Sequence, residues 1–589
     1  MLGRKPARFG PDRCGALPTG SRSLHRGASS RLDPDPKWTG TAAAFKIAGM
    51  QSDSASKKVV VLLSALGFVL ALVVLRYRNL YEDEWFTLSA IQRPLRELWD
   101  WANAHDMHPP GSYALDRFLL LMMAGSARRL AAIHLLIWSA GSLFFALSAR
   151  RLLSSPWGRA GFAAVAFMHP LVLMRVSGIR WYPIWWGLAL ALVAAGLVVR
   201  WRNELPSWGI TLAMGLAGGV LVYLDYTAVV FMACFGAAWL VRYRPLRDAA
   251  GRLLALAGAC ALSASPQLVE LMRGGFHRGH ENVGPVVTAA LRLPYGLLIG
   301  EALLPWSPVG VLVALGLVIP CAWLLVRGLP ARVKELGHED PAGARGLVAL
   351  LTFLVLFAAV GIGLGVGNRP YCFVGLVPVV SLFLALGAER VDAPAWRGWA
   401  TALGVLWIAT GAHNLIARQG TAKRLFNDHP EEIIGRLQQL SAGEPALVVT
   451  DDLVLTFEIN ERRAKGRTQL VTCSPFHDRF HGYRAGLHED VARFTWAFII
   501  DHPEDAPPGE DWPRAEAAAA LSKGRQLIAD ARQVDLGVDP DWRLKSHLVN
   551  ARVGPSRLRA FYGRPMPGDW PDVGRHMELS AGYSMFKDL

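Results

Sequence analysis

Long uncharged apolar runs constrain this chain more than any other feature. Val59 to Leu75, Leu130 to Ala149, Ile184 to Val199, Leu347 to Val366 and Phe373 to Ala388 are nearly free of ionisable side chains. Each is long enough to cross a hydrocarbon core of about 30 Å. A large soluble protein would break such runs with a polar face at helical spacing. Over 589 residues the hydrophobic fraction is 52% and the mean hydropathy +0.26, both above globular norms. The expectation is an α-helical polytopic membrane protein.

Basic loops set the alternation. Lys57 and Lys58 precede the first span, which continues into Arg76-Tyr77-Arg78 without a small-residue cleavage site and so reads as an uncleaved anchor. A long loop, Arg76 to Arg129, follows on the far side, with Ser112 to Met123 too short and too charged for a comfortable span and expected to lie at the interface. Further spans are expected at Leu130–Ala149, Ala160–Met174, Ile184–Val199, a tight pair turning at Asp225-Tyr226, Leu253–Leu271, Val309–Val326, Leu347–Gly367, Phe373–Ala388 and Ala400–Ile416. The total is about eleven, and the loops collecting Arg and Lys then share the N-terminal side. This makes residues 1–56 a disordered cytoplasmic tail, 57–417 the membrane domain with its outer loop 76–129, and 418–589 a soluble extracytoplasmic domain. Met50, followed by Gln51-Ser52-Asp53-Ser54, looks like an ordinary start for such a protein.

In that last part, Ala446–Thr450, Gln469–Thr472 and Trp496–Ile500 are short, partly β-branched runs, with helical stretches at Glu431–Leu440 and Asp511–Arg532, so a small α/β domain is expected.

The net charge of +15 (62 Lys and Arg against 47 Asp and Glu) lies mostly in the N-terminal tail and short loops, where it sets orientation, and no basic stripe interleaved with aromatics points to nucleic acid. The six cysteines form no C-x-x-C pair and read as small core residues. His277, His280 and Glu281 have metal-like spacing but no third His or Cys nearby, and read as a solvated loop. Trp157, Trp181, Trp208 and Trp396 read as an interfacial belt.

Chemistry is expected in the outer loop. Asp83 and Glu84 stand just beyond the first span among apolar neighbours, where a carboxylate is costly unless solvated, paired or useful. Asp106-Met107-His108-Pro109-Pro110 then precedes Ser112-Tyr113, and the two prolines fix the backbone so that Asp106 and His108 can be aimed above the membrane. Arg180-Trp181-Tyr182 lies at the outer end of the fourth span and Asn368-Arg369-Pro370-Tyr371 at the start of a late one. Asp225 and Tyr226 either line the site or merely turn the chain.

In this order, these elements resemble the GT-C glycosyltransferases that use lipid-linked sugars, among them protein O-mannosyltransferases and the aminoarabinose transferases of lipid A. The resemblance spans roughly the first 420 residues and is strongest over Tyr81 to Arg151, where Arg128-Arg129-Leu130 leads to Ala149-Arg150-Arg151. Pro370 interrupts the family's Arg-Tyr pair. The resemblance implies an inverting transfer from a polyprenyl-phosphate sugar to an acceptor hydroxyl (lipid, glycan or protein) on the extracytoplasmic face. Asp83 would be the base, Glu84 and Asp106 its acidic neighbours, and His108, Tyr113, Arg180, Tyr182 and Arg369 the substrate-binding residues. No cofactor is implied, and a divalent metal is left open.

Elementary chemistry agrees. A phosphate-linked sugar already carries a good leaving group, so one base and cations for the departing phosphate suffice. Arginine suits that phosphate through its planar donor fork. A polysaccharide ligase or polymerase using a lipid diphosphate would carry its large outer loops later in the chain. A lipid or polysaccharide transporter would place ionisable groups at mid-membrane and pair its broken helices.

Overall fold

The computed structural model describes residues 39–77, 84, 87–88, 90–91, 93–105, 108–123, 125–200, 205–243, 246–274, 286–300, 308–390, 430–450, 455, 458–459, 462–463, 465–473, 493–501, 522, 525–539 and 556–566. The chain divides into two units, Met1–Ser54 and Ala55–Leu589. In the first, residues 39–54 are helical.

The second unit is a multi-pass membrane protein. Among the described residues seven helices are long and apolar enough to cross a bilayer, and four shorter apolar helices accompany them. The first crossing is Ala55–Arg76, within α1 (Thr39–Tyr77). The segment after the first crossing contributes α2 (Leu95–His105) and α3 (Pro110–Met122), whose first turn is set by Pro109 in extended conformation and Pro110 at the first helical position. Leu121 and Met122 are exposed on α3.

Next come α4 (Ala127–Ala149), α5 (Pro156–Met168) and α6 (Pro170–Arg175). The expected third span is thus broken at His169 because Pro170 cannot donate a helical hydrogen bond. His169 caps the restart by accepting from the Leu171 N–H at 3.2 Å. Helix α7 (Trp181–Val193) ends in a π turn, Ala194–Val198, and α8 (Trp208–Leu224) and α9 (Thr227–Arg242) form the expected hairpin. Then follow α10 (Leu246–Gly274), α11 (Val286–Ile299), α12 (Pro308–Trp323), α13 (Leu329–Glu339), α14 (Pro341–Gly363) and α15 (Leu376–Ala388). Helix α11 overlaps Met272–Leu293, a stretch whose sequence reads as an outer loop after the Leu253–Leu271 span; at 14 residues with Pro294 inside, its pattern is too short to stand out. The expected span Ala400–Ile416 lies outside the described residues.

Small residues and aromatics hold the bundle. A methyl group on Gly141 of α4 would lie 1.9 Å from the Gly187 carbonyl oxygen of α7, and one on Gly187 would lie 2.6 Å from the Ile137 carbonyl oxygen, so these two helices cross at backbone contact. Phe231 of α9 packs edge-on against Trp185 at 5.3 Å and Phe353 at 5.2 Å, joining α7, α9 and α14.

At one end of the bundle a layer of basic loops interlocks. Arg332 donates to the Leu152 carbonyl at 3.1 Å, Arg242 to the Leu197 carbonyl at 3.1 Å, and Arg390 pairs with Glu335. Glu389, just past α15, accepts from the backbone and hydroxyl of both Ser154 and Ser155 at 2.7–3.0 Å, at the start of α5. The loops expected on one side therefore do meet. The opposite end carries the polar cluster described below.

The C-terminal part contains α16 (Pro430–Leu440) and strands β1 (Ala446–Thr450), β2 (Leu470–Cys473), β3 (Trp496–Asp501), β4 (Ile528–Asp539) and β5 (Ser556–Pro565), ordered β2-β1-β3-β5-β4. β1 runs parallel to β2 and β3, while β5 runs antiparallel to β3 and β4. The fully buried β1 explains its unbroken apolar run. The helix expected over Asp511–Arg532 is corrected at its end: Ile528–Arg532 pairs with β5 as strand, tertiary pairing overriding local propensity.

Candidate functional site

The polar end of the bundle gathers residues from widely separated parts of the sequence around Arg180. Chain conformation changes sharply there. Helix α6 stops at Arg175, four residues follow without helix, and Arg180 takes an extended conformation (φ −144°, ψ 162°) as the residue before α7. Its side chain is buried. Nη1 donates to the Thr87 hydroxyl at 3.2 Å, and Nη2 faces His108 Nε2 at 3.4 Å. Its guanidinium carbon stands 5.9 Å from the Tyr182 ring centroid.

His108 has a second partner. Its Nδ1 lies 3.1 Å from Oδ2 of Asp225, in the turn between α8 and α9. A guanidinium can only donate, so Nε2 accepts from Arg180 and the Nδ1–H donates to the carboxylate. Asp225 is itself oriented by the Thr227 N–H, which donates to Oδ1 at 2.8 Å. Asp225 therefore belongs to the cluster and does more than turn the chain. Its neighbour Tyr226 accepts from Gln267 Nε2 of α10 at 2.5 Å, and the same amide reaches Asn103 of α2 at 3.3 Å.

Glu84 is fully buried, and its Oε1 accepts from the Ile179 N–H at 2.5 Å. On the other side, the Arg180 carbonyl oxygen lies 3.2 Å from His134 Nδ1 of α4, and His134 Nε2 lies 2.8 Å from Asp116 Oδ1 of α3.

Aromatic contacts extend the cluster. Tyr182 meets Tyr371 edge-on at 5.7 Å, and the buried Arg175 places its guanidinium 4.5 Å over Tyr371. Arg369 stands two residues before Tyr371, in a turn anchored by the Cys372 N–H donating to the Arg369 carbonyl and by Trp186 Nε1 donating to the Cys372 carbonyl at 2.8 Å. Pro370 thus separates Arg369 and Tyr371 without removing them from this wall.

Among the expected site residues, Glu84, His108, Arg180 and Tyr182 are brought together directly, and Arg369 stands two residues before Tyr371, which touches Tyr182. Tyr113 is buried in an apolar cluster with Leu88, Leu130 and Ile179, edge-on to Trp101 at 6.0 Å. Asp83, Asp106, His277, His280, Glu281 and Trp396 lie outside the described residues. Trp157 and Trp208 are exposed, but Trp181 is buried, 5.9 Å from His108 and 4.3 Å from Tyr182, so it is a wall of the cluster and not part of a belt. Nearby, burial lowers the Arg93 guanidinium from its ordinary value, and Glu97, 3.6 Å away, offsets part of that. Among the described residues no three His, Cys, Asp or Glu side chains gather as a metal site.

Asp116, His134 and Arg175 were not singled out in the sequence. His134 stands alone among the apolar residues of Leu130–Ala149, which is a signal of a buried partner in a membrane helix, whereas Asp116 sits beside Arg117 on α3 and carries no such signal.

No family profile matches the chain, and no curated protein matches it. Solved structures do resemble it, among them two of one protein. ArnT from Cupriavidus metallidurans in the apo state has 14% sequence identity, covering 86% of this chain and 98% of that one, with a TM-score of 0.49. The same protein bound to undecaprenyl phosphate has 15% identity, covering 85% and 97%, with a TM-score of 0.47.

Proposed function

We propose that this chain is a membrane glycosyltransferase that moves a sugar from a polyprenyl-phosphate carrier to an acceptor hydroxyl on the extracytoplasmic face. The observation that carries this reading is the held arginine. Arg180 sits buried at the polar end of the spans, its fork steered by Thr87 and His108 and its flank laid along Tyr182. A preset guanidinium at the boundary of an apolar bundle suits a phosphate whose ester tail remains in lipid. Arg175 adds positive charge along the adjoining tyrosine wall.

In this reading the acceptor hydroxyl gives its proton to the Asp83 carboxylate as its oxygen bonds to the sugar's anomeric carbon. The bond from that carbon to the phosphate oxygen breaks, and the electron pair stays on the phosphate, which Arg180 stabilises. Glu84, adjacent to Asp83 in sequence, is anchored on the backbone beside Arg180, which supports a base close to the phosphate site. The anomeric centre inverts in a single displacement. The basic layer at the other end of the bundle supports a cytoplasmic assignment for that end, and hence the extracytoplasmic face for the site.

The test is release of free polyprenyl phosphate. Purified protein in lipid nanodiscs is given an envelope-lipid extract containing polyprenyl-phosphate sugars, and the lipids are followed by mass spectrometry. Free polyprenyl phosphate should appear with wild type and not with Arg180→Ala. Consumption of lipid diphosphates instead would favour a ligase, and passage of intact lipid across vesicles without cleavage would favour a transporter.

A further inference from the structure

We propose that Glu84, His134 and Asp116 form a clamp on the backbone at Ile179–Arg180 that presets Arg180 for phosphate, making all three positioning residues. The inference rests on the reading of Arg180 as the donor-phosphate ligand.

The two halves of the clamp grip adjacent residues from opposite directions. Glu84 accepts the Ile179 N–H at 2.5 Å, and His134 Nδ1 meets the Arg180 carbonyl at 3.2 Å. Support is needed most at Ile179, because the break between α6 and α7 leaves its N–H outside any helical ladder, while the Arg180 carbonyl, as the residue before α7, starts that helix's ladder and meets His134 with its second lone pair. A buried backbone group left unpaired costs as much as a lost hydrogen bond, so the side chains fix the segment in one conformation.

A count of protons sharpens the role of the His134–Asp116 pair. A carbonyl oxygen can only accept, so His134 Nδ1 carries a proton. The 2.8 Å contact between Nε2 and Asp116 Oδ1 must hold another, on the ring or on the carboxyl group. The pair therefore keeps one proton more than a neutral imidazole beside a carboxylate, and its net charge is zero. Both side chains are buried, His134 completely. A neutral pair avoids the large cost of an isolated buried charge beside the Arg180 backbone.

The placement of the partners couples the clamp to the outer loop. Asp116 lies on α3 and His108 just before it, so this one helix reaches Arg180 twice: through His108 at the guanidinium, and through Asp116 and His134 at the carbonyl. A shift of α3 would move both ends of the arginine together. Glu84, whose place beside Asp83 suggests a catalytic acid, is assigned here to holding the peptide that carries the arginine.

The experiment measures binding of a short-chain polyprenyl monophosphate to the full-length protein in nanodiscs. Arg180→Ala should lose binding. His134→Leu and Asp116→Leu should raise the dissociation constant about tenfold, the net worth of one such contact, and His134→Gln, whose amide can donate to the Arg180 carbonyl, should restore most of the affinity. Folded Leu variants with wild-type affinity, alongside an Arg180→Ala variant that fails to bind, would overturn the clamp. Equal binding by wild type and Arg180→Ala would instead overturn the donor reading. Should the Leu variants not fold, nitrogen NMR of histidine-labelled protein decides. The ligand should shift the His134 ring signals in wild type and leave them in place in Arg180→Ala; signals unmoved in both would reject the clamp.

Discussion

His108 and Asp225, 117 positions apart in sequence, meet at 3.1 Å and tie the loop before α3 to the turn between α8 and α9. The contact selects the ring form in which Nε2 can hold Arg180. Asp225→Ala should therefore weaken donor binding, by about 1.5–3 kcal/mol for a lost charge-assisted bond, with little change in turnover at saturating donor. Asp225→Asn, which can still accept from the Nδ1–H, should lose less. The Michaelis constant for the donor in both variants checks this, and identical constants would detach Asp225 from the site.

Asp83 and Glu84 should separate by kinetics. Asp83→Asn cannot take a proton and should lower single-turnover transfer by roughly 10²–10⁴-fold. Glu84→Gln keeps an oxygen for the Ile179 N–H and should lose far less. Reversal of that order would move the base to Glu84, and full activity in both would remove the loop from the chemistry.

Arg180→Lys keeps the charge but not the fork, and lysine cannot satisfy Thr87 and His108 in the same geometry. Donor use should fall, and Arg180→Ala should fall further, by about 1.5–3 kcal/mol in transition-state binding. Donor kinetics in folded protein are the measurement; wild-type values for Arg180→Ala would leave the residue a structural role only.

Gly141→Ala and Gly187→Ala should each destabilise the bundle, by about 1–3 kcal/mol for overpacking, because the added carbon meets a backbone carbonyl that cannot turn aside. Thermal unfolding in detergent should show a lowered midpoint for both. Gly161→Ala, at a position with nothing within 4 Å, should be silent and serves as the control.

Orientation is tested by fusion. A periplasm-active reporter placed after Ile416 should be active, and one placed between Arg327 and Arg345 silent. The opposite pattern would put the Arg180 cluster on the cytoplasmic side.

Much of the bundle was legible because lipid demands long apolar runs, and α4, α7, α14 and α15 start and stop near the expected residues. Helix α11 was not, since a short helix with an internal proline looks like a loop. In the tail, β1, β2 and β3 announced themselves by branched apolar runs, whereas β4 is defined by its pairing with β5. At the site, Arg180 and His108 could be named because they stand beside prolines and aromatics at span ends. The pairing of Asp116 with His134 was not visible, because it depends on how α3 docks against α4, and nothing local encodes that register.

The Glu389 staple bears on how the protein is made. Ser155 caps α5 by accepting from the Gly158 N–H, but its own N–H and that of Ser154 are satisfied only by a carboxylate more than 230 residues downstream. A ribosome releases the start of α5 long before Glu389 exists, so this helix must wait in the bilayer with its first amides facing water and headgroups. Its docking belongs to the end of synthesis. Chains halted before residue 389 should carry every span up to α14 and still lack the latch that closes α5 against α15, an opening that a quality-control protease could recognise.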